Sequence, residues 1–256
     1  MAESPKTVSM LLIGNELLTG KIQDVNGHYA AKRLRSLGAV LKRIEVVPDD
    51  QDIIVSALNR LRTSSDFVIT SGGVGPTHDD ITLEAVATTF GVSTYLEPGL
   101  EKMIRGFFKE KTTRYHLRMA TIPRTSHLID VEGTTWPVVA NENVFILPGV
   151  PEIFRAKFEG IAQYFRSGHW YLRSVYLDTE EGVIAAILED IEATLDVTIG
   201  SYPRWRGADY RIRVTIESRA KQPVNQAMRI LEDALSPGEI VRIDPEAQAV
   251  DHLLEK

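Results

Sequence analysis

In the run Thr70-Ser71-Gly72-Gly73-Val74-Gly75-Pro76-Thr77-His78-Asp79-Asp80-Ile81-Thr82, bare backbone amides precede a pair of carboxylates. Three glycines and a proline let backbone N–H groups approach a ligand closely, as an anion needs. Asp79 and Asp80 follow one step before a helix start, where phosphates and hard cations can share charge. These residue types in this order point to a phosphorylated ligand held together with a divalent metal. Oxygen-only ligands favour Mg²⁺, Mn²⁺ or Co²⁺ over structural zinc. Asp80 has a second reading, as the cap of a helix beginning near Thr82, a role worth about 1 kcal/mol. His78 reads as a polar loop residue, because no second His stands at helical spacing from it.

Other candidates fall at comparable places. Gly14-Asn15-Glu16 follows the apolar run Val8 to Ile13, Pro48-Asp49-Asp50 follows Val40 to Val47, and Pro148-Gly149 follows Asn143 to Leu147. Glu16 divides evenly between ligand contact and solvent. Asp49 and Asp50 read first as caps of the helix after them, and Asn26 as a cap rather than a ligand contact. Two nucleotide motifs are excluded. Gly14 to Lys21 resembles a phosphate loop, but five residues separate Gly14 from Gly20, and Ile22 stands where a metal-binding hydroxyl is needed. Gly73-Val74-Gly75 lacks the third glycine of a dinucleotide fold.

The elements that position these residues alternate. Val8 to Ile13 reads as a buried strand, and Ala30, Leu34 and Leu37 mark a helix ended by Gly38. Val40 to Val47 is the next strand, followed by a helix with Ile53, Ala57, Leu58 and Leu61 on one face. Phe67 to Thr70 is a third strand, and Ala85, Val86, Thr89 and Phe90 line a third helix. This alternation implies a parallel sheet covered on both faces, whose ligands lie outside the strands' carboxyl ends. All four loops named above map to that edge. Leu100, Met103, Ile104, Phe107 and Phe108 mark a further amphipathic helix. Lys109 to Pro137 is irregular, and Pro151 opens a helix carrying Phe154, Phe158, Ile161 and Phe165 at helical spacing.

A boundary falls near Ser167-Gly168, dividing residues 1–167 from residues 168–256. Beyond it the order is strand (Ser174 to Leu177), helix (Val183, Ile187, Ile191), strand (Val197 to Ser201), strand (Tyr210 to Glu217), helix (Val224, Met228, Leu231) and strand (Glu239 to Ile243). That is the split βαβ order of a small α+β domain. Gly200-Ser201-Tyr202-Pro203-Arg204-Trp205-Arg206 offers aromatic and basic groups that can stack a ring and bind a phosphate. The alternative is a strand connection with Trp205 packed against protein.

The 256 residues are 43% hydrophobic and carry a formal charge of −6. Without clustered Lys and Arg, nucleic acid is not an expected partner. Cysteine is absent, which excludes disulfides, thiolate catalysis and cysteine zinc sites. The amino terminus lacks a signal-like core, and no apolar run nears ~18 residues. A cytoplasmic protein with no membrane partner is expected.

Five segments together resemble a known family: Gly14-Asn15-Glu16-Leu17-Leu18-x-Gly20, Gln23-Asp24-Val25-Asn26, Val47-Pro48-Asp49, Gly72 through Thr82, and Leu147-Pro148-Gly149-Val150-Pro151-Glu152. They are similar to the molybdopterin-binding-like domain of the competence/damage-inducible protein A family. Arg35-Ser36-Leu37-Gly38, Met119-Ala120-Thr121-Ile122-Pro123, Trp136-Pro137-Val138-Val139 and Gly200-Ser201-Tyr202-Pro203-x-Trp205 are most similar to the amino-terminal hydrolase half of eukaryotic FAD synthases. The resemblance implies a three-layer α/β/α domain with a mostly parallel sheet, a small α+β domain, and a homo-oligomer. It also implies hydrolysis of a dinucleotide pyrophosphate bond, of FAD or ADP-ribose type, assisted by Mg²⁺ or Co²⁺ and by K⁺. Asp49 and Asp80 match the acidic pair implicated in the molybdenum-cofactor branch, and are the expected catalytic residues. Ser71, Gly72, Gly73, Val74, Gly75, Pro76 and Thr77 are the expected phosphate loop, and Asp79, Asp80 and Glu16 the expected metal ligands. Gly14, Asn15, Asn26, Pro148 and Gly149 complete the expected contacts.

Where bacterial relatives carry Asn-x-x-Gly-Thr-Ala-Pro-Gly, this chain has Asp130-Val131-Glu132-Gly133-Thr134-Thr135-Trp136-Pro137, a segment expected to shape substrate choice. It carries neither an amidase nor a FAD-making transferase domain, so those activities are not expected. The alternative to hydrolysis is a non-catalytic module holding molybdopterin or a related pterin phosphate. Adenylyl transfer onto molybdopterin ranks last.

Overall fold

The computed structural model describes residues 4–204 and 209–250. In chain order the first elements are β1 (Thr7–Ile13), α1 (Asn15–Leu18), α2 (Asn26–Ser36), β2 (Val40–Val47), α3 (Gln51–Ser64), β3 (Phe67–Ser71) and α4 (Thr82–Thr89). They are followed by β4 (Thr94–Leu96), α5 (Pro98–Phe108), α6 (Arg114–Arg118), β5 (Thr121–Pro123), β6 (His127–Ile129), β7 (Val138–Asn141), β8 (Val144–Leu147) and α7 (Pro151–Ile161). The last are β9 (Tyr171–Leu177), α8 (Glu181–Thr194), β10 (Thr198–Pro203), β11 (Ile212–Ser218), α9 (Lys221–Ala234), β12 (Ile240–Ile243) and β13 (Gln248–Ala249). Contacts divide the chain into two compact units: up to Leu34 with Ala39–Ser167, and Arg35–Gly38 with the residues from Gly168 onward.

The first unit is built on a six-stranded sheet in the order β2-β1-β3-β8-β7-β6. β2, β1, β3 and β8 run parallel, while β7 and β6 join antiparallel. The sheet is therefore mostly parallel, as the alternating elements predict. Successive strand residues point to opposite faces, so full burial of Met10, Leu11, Leu12 and Ile13 requires cover on both sides. On one face Leu11, Ile13, Val68, Val144 and Ile146 pack against α3, α4 and α5. Phe154, Phe158 and Phe165, all fully buried, continue into Phe145 of β8 through ring contacts of 5.4–5.9 Å. The irregular stretch after α5 contains α6, then β5, which pairs back with β4 ahead of α5, and β6, which forms a hairpin with β7.

Some expected faces shift by one residue. In α3 the buried stripe is Ile54, Ala57, Leu58 and Leu61, and Ile53 is 44% exposed. The spacing i, i+3, i+4, i+7 explains the choice, because Ile53 lies one residue off that stripe. The same slip puts Ile184 rather than Val183 in the core. Met103 and Phe107 of α5 are also exposed, leaving Leu100 and Ile104 buried.

In the second unit β9, β10, β11 and β12 form an antiparallel sheet in the order β10-β11-β9-β12. With α8 and α9 this is the split βαβ arrangement. Val175, Leu177, Val214 and Ile216 meet Ile184, Val224, Met228 and Leu231 in its core. Tyr202 of β10 is exposed and carries the Arg213 guanidinium over its ring at 5.1 Å. Trp205 and Arg206 of the aromatic-basic segment lie outside the described residues.

Candidate functional site

The carboxyl ends of the parallel strands place four loops side by side. Gly14 N donates to Val47 O (3.1 Å), Asn15 N to an Asp49 carboxylate oxygen (2.9 Å), and Gly72 N to Leu147 O (3.1 Å). Asn26 ties the group from within: its Nδ2 donates to Ser71 Oγ (3.0 Å) and to Gly149 O (2.8 Å). Asn26 is therefore not the cap of α2. Asp24 accepts the Asn26 and Gly27 amides at 3.0–3.1 Å, two residues upstream, and this frees the Asn26 side chain to turn inward. Its Oδ1 is buried, and among the described residues it has no hydrogen-bond partner.

The glycine loop is held by its own residues and two neighbours. Gly72 (φ +108°) and Gly73 (φ +64°) turn the chain off β3 in backbone regions suited to glycine. Thr82 fixes this turn, its Oγ1 donating to Gly72 O (2.9 Å) and its N to Gly73 O (3.0 Å). Among the described residues, no protein acceptor pairs with the N–H groups of Gly73, Val74 or Gly75. Three successive amides without a protein acceptor on a cavity wall are the donor type that anion nests use.

Asp80 is not a helix cap, because Ile81 occupies that position without a side-chain bond. The carboxylate instead accepts Thr77 N (2.8 Å), closing the turn after the glycines. Thr77 Oγ1 lies 2.5 Å from both an Asp79 and an Asp80 carboxylate oxygen. The Thr77 hydroxyl bond holds the exposed Asp79 carboxyl below the usual carboxylate range. Arg118 clamps the turn from α6, donating to Thr77 O (2.8 Å) and Asp80 O (3.2 Å). Asp50 does cap α3, accepting Ile53 N at 3.1 Å. The His78 side chain is 95% exposed.

These loops border a cavity of about 620 Å³. Glu16, Asn26, Ser71, Gly72, Gly73, Val74, Gly75, Asp80, Pro148 and Gly149 line it, whereas Gly14, Asn15, Asp49, Pro76, Thr77 and Asp79 do not. Asp49 holds the β1 loop in place rather than facing the cavity. Away from the glycines the lining turns apolar, with Leu83, Leu100, Met119, Trp136, Val139 and Ile146. Such a wall suits a flat ring system. Among the described residues, no group of three or more His, Asp or Glu side chains is placed to hold a metal by itself.

Sequence reasoning missed Arg118 and Lys157, and gave Asp24 and Thr82 no role beyond their place in the matching segments. Lys157 is 6% exposed on α7, lines the cavity, and donates to Trp136 O (2.8 Å) and Pro137 O (2.6 Å). Burial pushes its ammonium down to about 8. Its signal was present: positions 154, 157, 158 and 161 form one helical stripe, and 157 alone carries a charge.

Residues 9–167, which form nearly all of this unit, match the family described as a probable molybdopterin binding domain. The chain belongs to that molybdopterin-binding family. Residues 169–244 match the family described as FAD synthase, middle domain. A protein described as a probable FAD synthase of Caenorhabditis briggsae is 31% identical over 271 residues, covering 94% of this chain and 52% of the relative. This chain thus spans about half the length of such relatives. A protein of Archaeoglobus fulgidus is 30% identical over 229 residues, covering 89% of this chain and 97% of that one. Among solved structures, the protein CinA of unknown function from Thermoplasma acidophilum is 31% identical at a TM-score of 0.58. It covers 63% of this chain and 98% of its own. The molybdopterin-binding family in its CinA-type branch, related to FAD synthases, is therefore the one the motifs resemble. Among the described residues no helix is long and apolar enough to cross a membrane.

Proposed function

We propose that this protein hydrolyses the pyrophosphate bond of a dinucleotide of FAD or ADP-ribose type. The three free amides of Gly73, Val74 and Gly75, on the wall of a cavity that is otherwise mainly apolar, carry this reading. They suit a phosphate, and the apolar wall suits an attached ring. Fixed donors of this kind stabilise negative charge as it develops, without reorganising at the moment of reaction. In the reaction a water oxygen forms a new bond to one phosphorus, and the bond from that phosphorus to the bridging oxygen breaks. The bridging oxygen leaves with the second phosphate, and the water's proton passes to solvent. FAD would give AMP and FMN, and ADP-ribose would give AMP and ribose 5-phosphate.

A divalent cation fits this donor set when it is shared with the ligand. Mg²⁺ commonly takes one or two carboxylates and completes its shell with water and phosphate oxygens. Glu16 and Asp80 both border the cavity and would supply those carboxylates. The Thr77 hydroxyl supports the same fit: it has one proton, yet carboxylate oxygens of Asp79 and Asp80 both lie 2.5 Å away. A nearby cation would relieve the crowding that this leaves. When bound, it would neutralise charge on the phosphates and acidify water. Asp80 would hold it from a turn kept rigid by Thr77 and Arg118, with Asp79 beside it. Asp49 would act at one remove, by positioning the Asn15–Glu16 segment.

The absence of a self-sufficient acidic cluster among the described residues favours a second reading, in which the cavity holds a pterin phosphate without cutting it. The same proposal makes the protein a cytoplasmic homo-oligomer acting on small phosphorylated molecules rather than on nucleic acid or membranes. Incubation of purified protein with FAD or ADP-ribose, Mg²⁺ or Co²⁺, and K⁺ should release AMP, read by chromatography. Tight pterin binding by calorimetry, with no AMP under any of these metals, would establish the second reading instead.

A further inference from the structure

A buried ammonium with no counter-ion stands at the apolar end of the cavity. Lys157 Nζ has two carbonyl acceptors, Trp136 O and Pro137 O, and among the described residues it has no carboxylate partner. An ammonium has three N–H donors, so one is left over. Holding a cation away from water without a partner is unfavourable, and a ligand that supplies an electron-rich acceptor compensates it.

The position of Lys157 narrows what that acceptor is. The start of α7 adjoins the glycine loop, since a Cβ on Gly149 would meet Gly72 Cα at 3.4 Å. Lys157 lies six residues beyond Pro151, about 9 Å further along the helix axis at about 1.5 Å per residue. That offset is too long for the neighbouring phosphate of a pyrophosphate and leaves room for the linker and ring of a mononucleotide. The two carbonyls held by Lys157 also fix the backbone of Trp136, which lines the cavity and meets Phe107 edge-on at 5.7 Å. The donor and the aromatic wall are thus placed as one unit.

We propose that Lys157 is a specificity residue, donating its remaining N–H to a ring carbonyl of a flat isoalloxazine or pterin whose phosphate occupies the glycine loop. Adenine offers ring nitrogens but no carbonyl oxygen, so a donor set for a carbonyl favours the flavin or pterin half of a ligand over the adenylate half. The proposal rests on the phosphate reading of the glycine loop given above.

The test uses mononucleotides that have no pyrophosphate bond to cut. FMN, AMP, riboflavin and adenosine are titrated into the full chain by calorimetry, with flavin fluorescence as a second readout. Wild type should bind FMN at least tenfold more tightly than AMP. Lys157→Met should lower FMN affinity at least tenfold and leave AMP and inorganic phosphate binding unchanged. Lys157→Gln, which keeps donors for both carbonyls, serves where the methionine variant does not fold. Equal wild-type affinity for FMN and AMP overturns the proposal without any variant, as does a variant that weakens both ligands alike. Failure of the phosphate reading has its own signature: riboflavin would bind as tightly as FMN, and adenosine as tightly as AMP.

Discussion

Replacing Gly72 by alanine tests the anion loop most sharply when it is compared with Gly91→Ala. Both glycines have positive φ, +108° and +65°. An alanine at Gly91, just beyond α4, would meet nothing within 4 Å, so its cost is conformational only. The left-handed penalty of about 1–2 kcal/mol, reduced by the lower entropy of the unfolded alanine chain, leaves about 1 kcal/mol. An alanine at Gly72 would place its Cβ 2.2 Å from Ile13 O, a backbone atom at the end of a buried strand. Relieving that overlap adds about 1–3 kcal/mol, for a total of about 3 kcal/mol. For a chain of this size each kcal/mol lowers Tm by about 2–4 °C. Gly72→Ala should therefore melt about 6–12 °C lower, and Gly91→Ala about 2–4 °C lower. Since relief moves the amides that follow, ADP-ribose affinity should fall more than tenfold in Gly72→Ala alone. Thermal unfolding and calorimetry read both effects. Equal losses in the two variants, with wild-type affinity in Gly72→Ala, would refute the loop argument.

Arg118→Ala removes the two hydrogen bonds by which α6 clamps the Thr77–Asp80 turn. Turnover should drop about 100-fold, as expected for a slight misplacement of reacting groups, while the unfolding midpoint in urea moves little. Asp50→Ala deletes the cap of α3 and should cost about 1 kcal/mol in urea unfolding without altering ligand affinity. Burial lowers the Lys157 ammonium from 10.5 to about 8, so between those values the unfolded chain binds more protons than the folded one. Stability should rise with pH across that window by about 3 kcal/mol, with the full penalty present below pH 8. Urea titrations at pH 7 and 10 should show the rise in wild type and lose it in Lys157→Met.

The strand ends were legible where an apolar run stops at a glycine, a proline or an aspartate, as at Gly14, Pro48 and Pro148. The converging loops followed from parallel topology alone. Residues whose work is backbone contact, such as Gly72 and Gly73, were legible too, since few other types fit there. Asn26 and Asp80 were harder, because both types cap helices, and only the structure shows Asp24 taking the first cap and Ile81 the second position. Ile53 and Val183 were misplaced because a one-residue shift in helix start rotates the face by about 100°. Arg118 comes from an irregular stretch, 38 residues from Asp80 in the chain, so no local pattern links them.

Under the function proposed above, the site cuts a pyrophosphate rather than only holding it. Asp80→Asn keeps an oxygen for the Thr77 amide and removes only the charge, which makes it the decisive variant. AMP and FMN formed from FAD with Mg²⁺ or Co²⁺ should be measured for both proteins, with FAD affinity measured alongside. Equal amounts of AMP and FMN from wild type, with binding kept but turnover lost in Asp80→Asn, is the predicted result. FAD bound without AMP by wild type, or undiminished AMP from Asp80→Asn, would contradict it.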